Sequence, residues 1–523
     1  MTTKVLAIPL CLLAALVCTA ADKDKPPAPK LPLGKDTTYV VGPLDKDGYI
    51  DYETALNAEL SKDITPEKNA NVLLVQAFGP APEGGTGFPL DYYRWLDIPV
   101  LPRDGDYIIG AGAYVTGQLG LTGERLEAFY EVQGRATQRP WAAKDCPPLA
   151  EWLKANEKPL ALVTEAVKRP EYYNPLVSRR KPGEPSQLIE TLLPGVQKCR
   201  ELASLLTTRA MRNLKEGKID AAWADLLVCH RLGRLITRGA TLIEGLVGIA
   251  IGQIAHNSSL ALLDHPDLTA KQAAQCLKDL QGLPKPGTLA DKIGVVERMM
   301  GLDTLQNLRR NGPGSGLAGI TNDGNVFPNQ QKAFEVLDWT VVMQTMNARY
   351  DRLAGAMRTR DRTARAQALK TFEDELDAVK KDYADETKVK KVMEGKDAGK
   401  ALGKALGEVL MGLVAPAMNK IQQAYDRADQ TAINLQIAFA LAVYRKDNRR
   451  YPAHLRDLAP KYLASVPDDV FTGKPLVYKP ADKGYLFYSL GMDGKDNGGS
   501  TFGDDPAGDD LPVKMPLPPL KKR

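Results

Sequence analysis

The sequence predicts a mainly α-helical protein, made of helical hairpins or a bundle. A small C-terminal α+β domain closes it, with a long helix preceding a short antiparallel sheet. Three observations lead there. Residues 186–310 repeat apolar side chains at helical spacing. From Ile421 the apolar positions Ile421, Tyr425, Ala428, Ala432, Leu435, Phe439 and Ala442 advance by alternating steps of four and three, a heptad seam. Ile433, Ile437, Leu441 and Tyr444 add a second apolar face, which must also be buried. Strand-like sequence is confined to the end, at residues 476–479 and 485–489, joined by 480–484, with residues 511–515 as a third strand.

A chain of 523 residues is too long for one ordinary domain. The formal charge of +5 is too small a bias to point to nucleic acid, and no basic patch interleaved with aromatics accompanies it. The N-terminus reads as a secretory signal over residues 1–21. Lys4 precedes an apolar core at 5–17, too short to span a bilayer, and the small residues Thr19, Ala20 and Ala21 follow. Export to the periplasm, cell envelope or medium is expected, with no transmembrane span after cleavage near Ala21. Lipoprotein anchoring at Cys18 ranks second, because Val17 before it is not small. Cys146, Cys199, Cys229 and Cys276 remain, without a C-x-x-C or a histidine cluster, so buried thiols are expected rather than zinc ligands.

Residues 22–36 read as a solvated Pro/Lys/Asp linker. Residues 44–51 look like part of an EF-hand loop. With Gly48 at the glycine position, however, Pro43 and Thr54 would fall at the first and twelfth ligand positions, and neither can do that job. Asp51 is expected instead to cap a helix from Tyr52 to about Leu60. Thr65-Pro66-Glu67 is expected to open a second helix, carrying Val72, Leu73, Leu74 and Phe78 and stopping at Gly79-Pro80. Residues 37–150 form a mostly helical N-terminal unit on this reading.

In the helical domain, 151–310, residues 209–227 read as a helix, a turn at Gly217 and a second helix. The pattern resembles one tetratricopeptide-type hairpin, without further copies at that period. Cys199 and Cys229 lie at unequal distances from the turn, a mismatch of roughly 9 Å at 1.5 Å per residue, which argues against a bridge. Residues 242–254 read as a buried helix too short to span, and His256 and His265 as ordinary structural histidines. A Gly/Asn/Pro-rich linker is expected at 311–330; its G-x-G-x-x-G at 314–319 follows no strand. In the segment 331–428, helices are expected near 331–357 and 361–382. The run Arg349, Arg352, Arg358, Arg360, Arg362 and Arg365 reads as a solvated surface. Residues 401–418 are apolar but broken by Lys404, Glu408, three glycines and Pro416.

The densest chemistry follows the second strand. Asp493, Asp496, Asp504, Asp505, Asp509 and Asp510 share one loop with a single cation, Lys495. Gly491, Gly494, Gly498 and Gly499 let the loop fold back, so that its carboxylates can converge on a hard cation. Three further stretches accompany it in order: residues 441–452 (LAVYRKDNRRYP), 466–478 (VPDDVFTGKPLVY) and 488–496 (YSLGMDGKD). Together they resemble the periplasmic domain of the G-type major pseudopilins of type II secretion systems, over residues 429–512, with 513–523 as the last strand and a basic tail. The resemblance implies a long helix, a small antiparallel sheet and a structural calcium ion. It implies as ligands Asp493, with Asp504, Asp505 and Asp510, and the backbone oxygen of Leu490. This chain departs from the pilin pattern in carrying the stem more than 400 residues in, without a continuous apolar membrane helix. The remainder resembles large exported bacterial proteins with the same ending, a likeness that implies no activity.

The function expected is that of an exported, non-enzymatic envelope protein. A helical scaffold would display a calcium-stabilised interaction module to an envelope protein partner. The alternative is an enzyme or a ligand-binding protein with a cleft in the helical body. No G-x-S-x-G, H-E-x-x-H or phosphate loop supports catalysis, and acidic pairs such as Asp220/Asp225 and Glu373/Glu375 are common on solvated helices.

Overall fold

A computed structural model describes residues 30–178, 180, 184–191, 193, 195–312, 334–383 and 385–520. The leader expected at 1–21 lies outside these residues, as do most of the first linker and nearly all of the Gly-rich one. The chain is mainly helical with a three-stranded antiparallel sheet near its C-terminus.

Local signals set several ends where expected. Helix α1 (Tyr52–Leu60) is capped by Asp51, which accepts a hydrogen bond from the Thr54 N–H at 3.1 Å. The EF-hand-like stretch before it is instead a turn whose Asp45 is paired with Arg310 at 2.5 Å. Helix α2 (Ala70–Phe78) stops at Gly79, at φ +80°, where a Cβ would collide with the Tyr107 ring. Its start corrects the sequence reading: Asn69, not Thr65, is the cap. The Asn69 side chain accepts from Asn71 N–H and Tyr173 N–H and donates to the Tyr173 carbonyl at 2.9 Å, so a partner 104 residues away fixes the boundary. The same extended segment, 169–178, ties the N-terminal helices to the body. Asn174 accepts from the Tyr92 hydroxyl at 2.7 Å and donates to the buried Glu244 at 2.9 Å.

Helices α3 (Leu90–Leu96), α4 (Gly123–Ala136), α5 (Pro147–Ala155) and α6 (Glu157–Ala166) complete the N-terminal part. The hairpin of α7 (Val196–Lys215) and α8 (Ile219–Thr237) turns at Gly217, at φ +72°. The four cysteines among the described residues are free thiols, and of these only Cys146 is half-exposed. Helix α9 (Leu242–Leu263) opens with a Thr241/Glu244 capping box and runs nine residues past the expected end. Its continuation buries His256, Ser258 and Ser259 and gives the two serines polar contacts that apolar spacing does not show. Helix α10 (Ala270–Gln281) follows, then a π-helical turn (Lys292–Glu297) leading into α11 (Arg298–Asn311).

After the undescribed segment come α12 (Trp339–Arg358), α13 (Arg362–Tyr383), the short α14 (Glu386–Met393) and α15 (Ala398–Asn448). The last has 51 residues and passes through Pro416 without ending. At 1.5 Å per residue it is about 75 Å long. Its first part, with Leu402, Leu406, Met411 and Met418, shares a core with α1, α11, α12 and α13. Its second part, with Leu435, Ile437, Phe439 and Leu441, shares another with α7 to α10 and the sheet. Both apolar faces of the heptad stretch are thus covered. Both α9 and α15 are long and apolar enough to cross a bilayer, and in each more than half of that apolar window is buried against the rest of the protein.

The arginine run is the solvated surface expected only at Arg352, Arg358 and Arg360; Arg349, Arg362 and Arg365 turn inward. Arg349 bridges Glu375 (2.9 Å) and the buried Glu408 (2.7 Å), Arg352 pairs with Glu375, and Arg362 and Arg365 pair with Asp426 at 3.2 and 2.5 Å. The packing of α12, α13 and α15 brings their basic and acidic faces together. Asp225 is likewise buried, held by Arg209 and Asn213 across the α7–α8 hairpin.

The sheet runs β1 (Val477–Ala481), β2 (Gly484–Ser489) and β3 (Leu511–Met515) in that order, with Val477 opposite Tyr488 and Tyr485 opposite Met515. Tyr485, Phe487, Val513 and Met515 face the helical core. Asn434 of α15 donates to the Leu511 carbonyl at 2.9 Å, and the Leu517 N–H donates to Asp264 at 3.2 Å, fixing the sheet to the body.

Candidate functional site

The alternation of β2 leaves Leu486 and Tyr488 on the face away from the helical core, and the 490–510 loop covers them. The position of a Cβ on Gly499 lies 3.3 Å from Leu486 and 3.5 Å from Tyr488, and the Tyr488 hydroxyl donates to Asp496 at 2.8 Å. The loop is hung on buried carboxylates. Asp469, at the turn before β1, accepts from Phe471 N–H, the Ser489 hydroxyl and Leu490 N–H, each at 2.9 Å. Asp509 accepts from Met492 N–H at 2.7 Å and Asp493 N–H at 3.1 Å. Asp510, fully buried, accepts from Gly499 N–H at 2.7 Å and Asn497 N–H at 3.1 Å.

These environments separate the carboxylates electrostatically. Burial raises the pKa of Asp510, and the nearby Asp496 and Asp509 raise it further against its two amide donors. Asp496 and Asp493 are exposed and held low by backbone N–H groups, from Gly498 and Lys495 respectively. Of the expected ligands, Asp510 is inside; Asp493 caps its own turn; Asp504 accepts from Thr501 N–H and Oγ1 at 2.7 Å; Asp505 is exposed. The Leu490 amide is anchored by Asp469. Among the described residues, no three His, Cys, Asp or Glu side chains form a group that could hold a metal. Yet one oxygen of Asp509 and one of Asp510, both Oδ1, are buried without a hydrogen-bond partner. The sequence reading passed over Asp469 altogether, although the Asp-x-Phe-x-Gly pattern at 469–473 marks an Asx-type turn.

A second feature lies in the helical body. Helices α8 and α9 cross at glycines: a Cβ on Gly233 would stand 3.0 Å from the Gly248 carbonyl, and one on Gly248 would stand 2.5 Å from the Thr237 nitrogen. Beside the crossing, α15 and the 283–286 loop close a cavity of about 80 Å³ lined by His230, Arg234, Gly252, His256, Leu435 and others. Burial holds both histidines neutral, His230 down to about 3 and His256 to about 4. His230 shares a hydrogen bond with Ser259 at 2.9 Å, whereas His256 Nδ1 is buried without a partner. His265 is outside this cavity, accepting from the Asp267 N–H.

No family model, curated protein or solved structure matches the chain.

Proposed function

We propose that this is an exported, non-enzymatic envelope protein whose helical body presents a pseudopilin-like, calcium-stabilised loop to another envelope protein. The observation that carries it is the pair of unpartnered, buried oxygens on Asp509 and Asp510 within a loop rich in oxygen donors. Leaving a carboxylate oxygen buried and unsatisfied is costly, and calcium prefers such ligands. Asp509 joins the ligand set implied by the resemblance, Asp493, Asp504, Asp505, Asp510 and the Leu490 backbone, because its other oxygen already fixes the Met492 and Asp493 amides. Bound calcium supplies the charge balance that the crowded carboxylates lack.

The same loop offers a docking face. Phe502 is 68% exposed with the Arg427 guanidinium 4.9 Å from its ring centre, and Met492 is 41% exposed. Export rests on the leader-like residues 4–21. In the full-length chain, calcium titrated into the millimolar range raises the melting temperature, by the equivalent of about 2.7 kcal/mol at one hundred times the dissociation constant, and magnesium does much less. Asp510→Asn abolishes the rise. An unchanged wild-type melting curve leaves the aspartates as backbone acceptors only. Phe502→Ser loses the envelope partner while keeping the calcium response, and N-terminal sequencing of the mature protein starts near Asp22.

A further inference from the structure

The helical body contains a void that its own packing does not require. Gly233 and Gly248 are explained by the close crossing of α8 and α9. Gly252 is not: a Cβ there would meet nothing within 4 Å. A helix interior disfavours glycine relative to alanine, so Gly252 keeps open the cavity it lines at a cost to the helix.

The polar groups around this void are incompletely matched. The side chain of Arg234, half-buried at its wall, makes no hydrogen bond or ion pair with any described residue. Asp429 attracts it but is paired with Arg362 at 3.4 Å, and Arg362 and Arg365 both pair with Asp426. Three arginines thus face two aspartates, which leaves one positive charge. Both histidines are neutral, and His256 contributes an unused Nδ1. Leu280, Leu283, Ala432 and Leu435 make an apolar part of the lining, and its polar part includes Thr237, Gln253, Tyr425, Thr431, Gln436 and the Arg362-paired Asp429.

The geometry points to a binding site for a small organic monoanion, an apolar chain or ring that ends in a carboxylate. The carboxylate sits on Arg234, which offers a fork of N–H donors, and the apolar part enters beside Gly252. A cavity of about 150 Å³ accepts a benzene ring, so one of about 80 Å³ takes in a segment of about three carbons and leaves the head group at the wall. This site is independent of the calcium loop and of any partner bound there.

Hexanoate, hexanol and hexylamine titrated by calorimetry into the full-length protein test the assignment. Trp223, whose ring centre lies 6.3 Å from that of His230, gives a parallel fluorescence readout. Hexanoate is expected to saturate with a dissociation constant on the order of 1 mM. Hexanol should bind roughly tenfold more weakly, and hexylamine not at all. Arg234→Gln should bring hexanoate down to the level of hexanol and leave hexanol unchanged. Gly252→Leu should fill the cavity and abolish both. Gly252→Ala, the gentler step, should weaken both while raising the melting temperature. No saturation with hexanoate, equal affinity for hexanoate and hexanol, or undiminished binding in both Gly252 variants would each overturn the proposal.

Discussion

Two runs of like charge, the arginines at 349–365 and the aspartates at 493–510, look alike in the sequence and are neutralised in opposite ways. The arginines sit on the end of α12, the turn after it and the start of α13, where most backbone groups are engaged within the helices. Their charges find carboxylates on neighbouring helices, Glu375 on α13 and Glu408 and Asp426 on α15. The aspartates sit on a loop whose N–H groups have no ladder to join. Asp509 and Asp510 each gather two of those N–H groups and so shape the loop. A cluster of charge on a helix therefore reports the faces of its neighbours, whereas one on a glycine-rich loop reports backbone that lacks partners.

The largest effect expected from this contrast belongs to Arg349. Its Glu408 partner is only 4% exposed in its side chain, so Arg349→Ala leaves a buried carboxylate unpaired and costs about 3 kcal/mol or more. Denaturant unfolding measures this, and a loss under 1 kcal/mol would mean that the two helices repack without the bridge. Asp510→Ala is expected to cost about 2 kcal/mol, by stranding the Asn497 and Gly499 amides. Faster hydrogen exchange at those two positions, with the helical body unchanged, is the accompanying signature.

Acid should separate the two runs further. Its two arginines hold Glu375 down to about 2, so the stability it contributes is present above its ordinary value near 4.5 and is lost as pH falls from there through about 2. Asp510 is shifted the other way. Its folded form favours the proton, so its contribution grows as pH falls through its raised value and is lost as pH rises. Hydrogen exchange followed from pH 5 to pH 2.5 should show the α12–α13 contact loosening before the loop does. The smallest effect is Arg352→Ala. Both partners of that pair are more than 40% exposed, and the expected cost is about 0.5 kcal/mol. A loss as large as that of Arg349 would show that the clamp acts as one unit.

Much of this was legible in the sequence where the signal and its effect are close together. The Asp51 cap, the Gly79 stop, the Gly217 turn and the three strands each follow from residues within a few positions of the feature they set. The candidate loop was legible as a place, because glycines and aspartates crowd there. Its division of labour was not. Asp469 lies 20 residues from Ser489, and the burial that singles out Asp509 and Asp510 comes from the way the loop lies over the sheet. The cavity left no trace beyond a glycine on a long apolar helix.

By itself, then, the sequence determined where several helices and strands begin or end, which faces are apolar and that one loop is anomalously acidic, since propensity, capping and periodicity act over one or two turns of chain. Only the tertiary structure decided that Asn69 rather than Thr65 starts α2, that α15 runs on through Pro416, and that the arginine run is a clamp. It alone decided that Arg234 faces a void. Each of these depends on partners brought together from far along the chain, 104 residues for Asn69 and Tyr173 and 59 for Arg349 and Glu408. No local spacing encodes such a pairing; it is set by which apolar faces pack together, and the polar groups beside them take the partners that packing supplies.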